Sequence, residues 1–210
     1  MGRKLSEMTN AELWELFPII LVSYDLNWPR DYDREASALC RAMADDLFRI
    51  HHIGSTAVPG LTAKPTIDIL MEITTEADPE RMKKNVIATG YRLISKADDP
   101  EWMFTKGYTE TGFVGRTYHL HVRRPGDWDE LYFCDYLRDH PEACRDYEKL
   151  KTELKARFEH DRDAYTEGKT AFIKNISGLA RVLNPKKYLF EPIRKTKTAS
   201  AGPGPGNNES

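Results

Sequence analysis

Apolar and polar positions alternate most strictly from Thr66 to Ile73. Ile67, Ile69, Met71 and Ile73 fall on one side, and Thr66, Asp68, Leu70 and Glu72 on the other. This period of two predicts a strand with one core face. Thr117 to Arg123 repeats the pattern, with Tyr118, Leu120 and Val122 opposed to Thr117, His119, His121 and Arg123. Shorter strands are expected at Ile19 to Tyr24, Tyr91 to Ser95 and Trp102 to Tyr108, the last turning at Thr109 to Gly112 toward another. Helical spacing takes over between Pro29 and Phe48, where Tyr32, Ala36, Leu39, Cys40, Met43 and Leu47 share a face that reads as core scaffold. Thr9-Asn10 suits the cap of a short helix through Leu16, and Asp78-Pro79 opens one that Gly90 closes.

From Asp127 the pattern is helical, over about 127–139, 141–159 and 161–183, and Asn184-Pro185 ends the last helix. The charged run from Glu148 to Arg157, with Lys149, Lys151, Glu153 and Lys155, reads as a solvated face. On the third helix Tyr165, Phe172, Ile173, Ile176, Leu179, Ala180 and Leu183 form an apolar stripe, and Lys169 falls near its middle. An inward lysine is costly unless it meets a counter-charge, so Asp68 or a bound phosphate is its expected partner. The alternative is a packed stem with its head reaching water.

These elements predict an α+β domain over 19–194, with its sheet part at about 19–126 and its helical part at about 127–194. One face of the mixed sheet carries helices, and a C-terminal helical bundle closes over the other. Residues 1–18 read as an extension, and the Gly-, Pro- and polar-rich stretch 195–210 as a disordered tail.

Composition refines this little. A chain of 210 residues, 40% hydrophobic and 30% charged, suits a globular protein with ample core. A formal charge of −2 argues against strong nucleic-acid binding through a basic surface. Cys40, Cys134 and Cys144 lack metal-type spacing and read as reduced thiols, consistent with the cytoplasm. The apolar run Leu16 to Val22 contains Pro18 and is far short of the ~20 residues a bilayer needs, so no membrane association is expected.

The chemistry concentrates between His51 and Leu70. Gly54 and Gly60 permit backbone that a side chain would block, and Ser55 and Thr56 set hydroxyls beside the turn. Such a turn can hold phosphate oxygens, with Lys64 as a nearby point charge and Asp68 on the open face of the next strand. His119 and His121 put two imidazoles on one face, a spacing compatible with one metal ion, with a metal-dependent hydrolase or with a merely solvated strand. Glu72 shares the face of Asp68 but lies roughly 13 Å along the strand at ~3.3 Å per residue, too far to share one ion easily.

Gly54-Ser-Thr-Ala-Val-Pro-Gly60 followed by Lys64-Pro-Thr-Ile-Asp-Ile69 resembles the signature of the GrpB family. The likeness runs from Tyr24-Asp25 and Trp28 through His119-Leu-His-Val122 to Tyr165, Lys169 and Phe172-Ile173. That family is assigned to the nucleotidyltransferase superfamily, whose members carry a Gly-Ser turn and then Asp-x-Asp, both carboxylates binding divalent metal. The resemblance therefore implies a nucleotidyltransferase-like fold. Asp68 stands alone, its partner position being Leu70 or Thr66.

The expected chemistry is nucleotidyl transfer from a nucleoside triphosphate, or use of another phosphorylated small molecule, with Mg²⁺ or Mn²⁺. Gly54, Ser55, Thr56 and Lys64 would hold phosphates, Asp68 the metal, and Lys169 would neutralise developing charge. His119 or His121 would position the acceptor or leaving group, while Tyr165 would stack on a base or pack in the core. The alternative is a phosphate- or nucleotide-binding protein on the same fold with little or no catalysis.

Overall fold

The computed structural model describes residues 4–94 and 101–190. Its α-helices in chain order are α1 (Asn10–Leu16), α2 (Trp28–Met43), α3 (Pro79–Ala88), α4 (Asp129–Asp139), α5 (Pro141–Phe158), α6 (Arg162–Glu167) and α7 (Thr170–Leu183). The strands are β1 (Leu47–Ile53), β2 (Thr66–Ile73), β3 (Arg92–Leu93), β4 (Trp102–Thr109) and β5 (Gly112–Arg123), in spatial order β1-β2-β5-β4-β3. The β2–β5 pair is parallel and the other three pairs are antiparallel. Ser95, the last residue of one expected strand, and the expected tail at 195–210 lie outside the described residues.

The alternation of β2 and β5 divides the sheet as expected. Ile67, Ile69, Met71, Ile73, Tyr118, Leu120 and Val122 pack with Trp28, Leu39 and Met43 of α2 and with Met82 and Val86 of α3. Each fully buried aliphatic side chain there contributes about 1.5–3 kcal/mol. On the opposite face Leu70 packs with Leu131 and Cys134 of α4, so the C-terminal helices cover that side of the sheet. The mixed sheet, helical layer and C-terminal bundle make up the expected α+β architecture. Caps fall where the sequence placed them: the Thr9 hydroxyl accepts from Glu12 N–H and the Asp78 carboxylate from Arg81 N–H. All three cysteines are free, and among the described residues no helix is long and apolar enough to cross a membrane.

Four expectations need correction. Ile19 to Tyr24 is not a strand: Val22 and Ala63 exchange an isolated pair of backbone bonds, and Pro59 and Pro65 flank the partner segment, where they cannot donate to a ladder. Helix α2 stops at Met43 rather than continuing to Phe48, and Leu47 and Phe48 belong to β1. Asp45 and Asp46 oppose the negative end of a helix, and the chain turns there with Ala44 at φ 46°. The third C-terminal helix is two, α6 and α7, parted at Gly168-Lys169, where Gly168 lies against Leu154 of α5. Of the stripe read across that break, Tyr165, Ile176 and Ala180 are buried, whereas Leu179 and Leu183 are exposed. Finally, Glu148 and Lys151 do not belong to a solvated face: Lys151 is 2% exposed, and Glu148 accepts the Thr62 N–H at 2.6 Å.

Candidate functional site

Gly54 leaves β1 at φ 71°, in the left-handed region that favours glycine. A Cβ built there would stand 2.5 Å from Asp68 Oδ2, so the missing side chain is also the space that the aspartate fills. Ser55–Ala57 winds into a single 3₁₀ turn, in which Gly54 and Ser55 carbonyls accept from the Ala57 and Val58 amides. The Thr56 hydroxyl is committed inward, donating to the Thr66 carbonyl at 3.2 Å and lying 3.0 Å from His52 Nε2. Ser55 instead faces Lys151, whose Nζ lies 3.4 Å from Ser55 Oγ, donates to the Thr62 carbonyl and sits 4.6 Å from the centre of the Tyr147 ring.

These residues border a cavity of about 1350 Å³ between the sheet and the C-terminal helices. Gly54, Ser55, Thr56, Lys64, Asp68, His119, His121, Tyr165 and Lys169, every site residue expected from sequence, line this one space. Lys151, Arg162 and Tyr108 line it as well and were not expected. Lys151 was hidden in a run that reads as alternating surface charge. Its one sequence signal is the apolar spacing of Tyr147 and Leu154, which flank it on the buried side of α5.

Positive charge crowds one end of the cavity. Lys64 and Lys169 both approach the Tyr165 ring, at 5.7 and 4.5 Å from its centre. Burial lowers the Lys64 pKa to about 7, and the charges of Lys169 and Arg162 add to the fall. Burial likewise lowers Lys151 to about 7 and Lys169 to about 8. Tyr165 is 1% exposed, with its pKa raised to about 12 by burial, so it is a floor under the two ammonium groups. The Asp68 charge partly offsets the fall at Lys169, but among the described residues the two form no ion pair.

Asp68 pairs with histidine instead. His119 Nδ1 lies 3.0 Å from Asp68 Oδ1, and His119 Nε2 lies 2.7 Å from Tyr108 Oη. Burial pushes the Asp68 carboxyl up, but the His119 hydrogen bond, the electrostatics of the two imidazole rings and the Lys64 charge outweigh it, leaving its pKa below the usual value. Burial lowers the pKa of His121, the next inward imidazole on β5, which keeps it neutral near pH 7.

The remaining carboxylate of the β2 face is used elsewhere. Glu72 is fully buried and accepts from Arg49, Gly126 N–H and Trp128 Nε1. Leu70 is buried under α4, and the Thr66 hydroxyl is tied to Thr117 at 2.9 Å. Among the described residues no group of three or more His, Cys, Asp or Glu side chains is placed to hold a metal ion. The donors present do not by themselves make a Mg²⁺ or Mn²⁺ site.

Comparison with known proteins gives a consistent picture. The sequence profile described as GrpB protein matches residues 18–178. The UPF0157 protein PA4798 of Pseudomonas aeruginosa is 40% identical over 196 residues, covering 87% of this chain and 81% of that one. The glutamate-rich protein GrpB of Alkalihalophilus pseudofirmus is 34% identical over 163 residues, covering 75% and 93%. The crystal structure of the conserved protein GrpB from Enterococcus faecalis superposes with a TM-score of 0.67 at 29% identity, over 77% of this chain and 96% of that one.

Proposed function

This chain belongs to the GrpB family, and from that premise we propose that its cavity binds a nucleoside triphosphate and passes the nucleotidyl group to an acceptor. The observation that carries the proposal is the convergence of Lys64, Lys151, Lys169 and Arg162 with the Gly54-Ser55 turn around one cavity. Four cationic side chains held this close repel one another and lose hydration, and a polyphosphate relieves both costs. Ser55 Oγ and Lys151 Nζ grip a terminal phosphate, while Lys64 and Lys169 flank the remainder. Lys169 neutralises charge that builds on the departing pyrophosphate. His121, neutral and inward, is left to hydrogen-bond the acceptor. A divalent ion would arrive with the triphosphate and find Asp68 as its single nearby carboxylate on β2, so no step is assigned to it.

A second reading, binding of the same ligands with little turnover, is favoured by one feature: the position of a second carboxylate is taken by buried Leu70 or tied Thr66. Thermal-shift titration with ATP, GTP, CTP and UTP, with and without Mg²⁺ or Mn²⁺, tests the shared claim. Stabilisation that Lys169→Ala weakens about 10- to 100-fold in Kd is expected, for loss of about 1.5–3 kcal/mol from one charge-assisted bond. No stabilisation by any of the four removes both readings. Pyrophosphate release separates transfer from binding.

A further inference from the structure

The floor of the cavity continues across the sheet well past Asp68. Asp68 on β2 pairs with His119 on β5, and His119 pairs in turn with Thr105 on β4. In the next row but one Leu70, His121 and Met103 stand in register. Thr105 and Met103 therefore share the face of the two imidazoles, while Trp102 and Phe104 turn into the core on the other side. Both Met103 and Thr105 line the cavity and are only half-buried. The wall at this end comes from α1 and the residue after it, for Leu13, Trp14 and Phe17 line the same space. Phe17 anchors that wall: its ring lies 5.1 Å from those of Tyr108 and Phe113, and its carbonyl accepts from Arg162 at 3.0 Å. Yet none of the seven residues of α1 is buried, so Leu13 and Trp14 hold apolar surface beside the cavity that the fold itself does not cover.

From this geometry we infer that the outer half of the cavity, walled by Leu13, Trp14 and Phe17 and floored by Met103 and Thr105, is a subsite for a neutral aromatic hydroxyl compound, presented as the acceptor beside His121. As an acceptor site it rests on the nucleotide reading above; as a site for such a molecule it stands on its own walls. Size allows a second ligand. A pocket for one small molecule measures about 300–1,000 Å³, and this cavity, at about 1350 Å³, leaves room beside a triphosphate held at the lysine end.

The lining chooses the chemistry of the occupant. An indole and a phenyl ring favour a flat π-system, and a thioether beneath it adds a sulfur–aromatic contact. Charge at this end is already matched or outside: Arg92 pairs with Glu110 at 3.6 Å and Lys106 with Glu35 at 2.7 Å, while Lys4 and Asp163 are exposed at the rim. A neutral body therefore fits better than an ionic one. Its hydroxyl has one natural place. Paired residues on adjacent antiparallel strands have Cα atoms about 4.5–5.5 Å apart, so a ring resting on Met103 sets its polar edge beside His121, at the boundary with the phosphate end.

The experiment uses the full chain with ¹³C-methyl methionine and 2-naphthol as the probe, followed by NMR. The Met103 methyl signal is identified by its loss in Met103→Leu. Saturable binding with a Kd of about 1 mM or tighter is expected, with nuclear Overhauser contacts from the naphthol ring to the Met103 methyl. Trp14→Ala is expected to weaken that binding about 3- to 10-fold, as loss of one aromatic contact does. Adding ATP with Mg²⁺ should leave the naphthol in place. Absence of saturable binding, binding without contact to the Met103 methyl, or displacement of the naphthol by ATP each overturns the subsite. Naphthol bound at Met103 in a protein that ATP does not bind keeps the aromatic site and overturns the nucleotide reading, and its role as an acceptor site with it. Should Trp14→Ala melt early, the wild-type contacts to Met103 decide alone.

Discussion

Residue by residue, the site depends on a few positions where a small change has nowhere to go. Gly54 combines a left-handed φ with a carboxylate 2.5 Å from its notional Cβ. Gly54→Ala is therefore expected to destabilise the fold by about 1–3 kcal/mol, read by urea denaturation, and to displace Asp68 from His119. Lys151 is the most buried of the cations. Lys151→Met keeps the stem's packing but leaves the Thr62 carbonyl without the ammonium, so about a 10-fold or greater loss of nucleotide affinity is expected by calorimetry at modest cost in melting temperature. Asp68, His119 and Lys169 were legible in the sequence because each breaks a local pattern: a charge or imidazole on a strand, or a lysine in a greasy stripe. Lys151 breaks no pattern visible in its charged neighbourhood, so its burial appears only when the loop at Thr62 is seen against α5.

Among the elements, β2 and the Thr117–Arg123 part of β5 were readable because a strict period of two fixes which face each residue takes. What escaped was where a period is interrupted. The register of β4 with β5 shifts between Lys106 and Tyr108, where β5 carries the additional residues, and no count of alternating residues reports such a shift. The break at Gly168-Lys169 divides a stripe that looks continuous on a wheel. That break places Lys169 at the start of α7 rather than mid-helix, and the lysine still reaches the cavity. Gly107→Ala must shift strand backbone, since the obstructing atom is the Arg116 carbonyl. Loss of the Tyr108 to His119 contact is expected, read as a move of the His119 ring resonances by NMR; unmoved resonances would show that Gly107 has no part in aiming the phenol.

For the whole molecule, the lysine cluster couples stability, ligand and pH. Lys64, Lys151 and Lys169 titrate at about 7, 7 and 8 in the folded chain, against 10.5 ordinarily. Above pH 7 the unfolded chain thus holds more protons than the folded one, so this cluster makes the ligand-free protein more stable as pH rises from about 7 toward the ordinary lysine value of 10.5. A bound polyphosphate favours the charged lysines and reverses the sign: binding takes up protons and weakens over the same interval. Calorimetry of ATP binding in buffers of different ionisation enthalpy measures that uptake, and a proton count of zero near pH 8 would contradict it. The segment from Gly54 to Thr62 runs between the sheet and the C-terminal helices. Helices α4 and α5 hold it from outside, Arg138 donating to the Ala57 carbonyl at 3.2 Å while Glu148 and Lys151 clasp Thr62. Such a loop is a keystone set between two halves of an arch: whatever settles into its hollow tightens the seam, and solvent deuterium should enter the amides of Thr62 and of the facing turns of α5 more slowly once the hollow is filled.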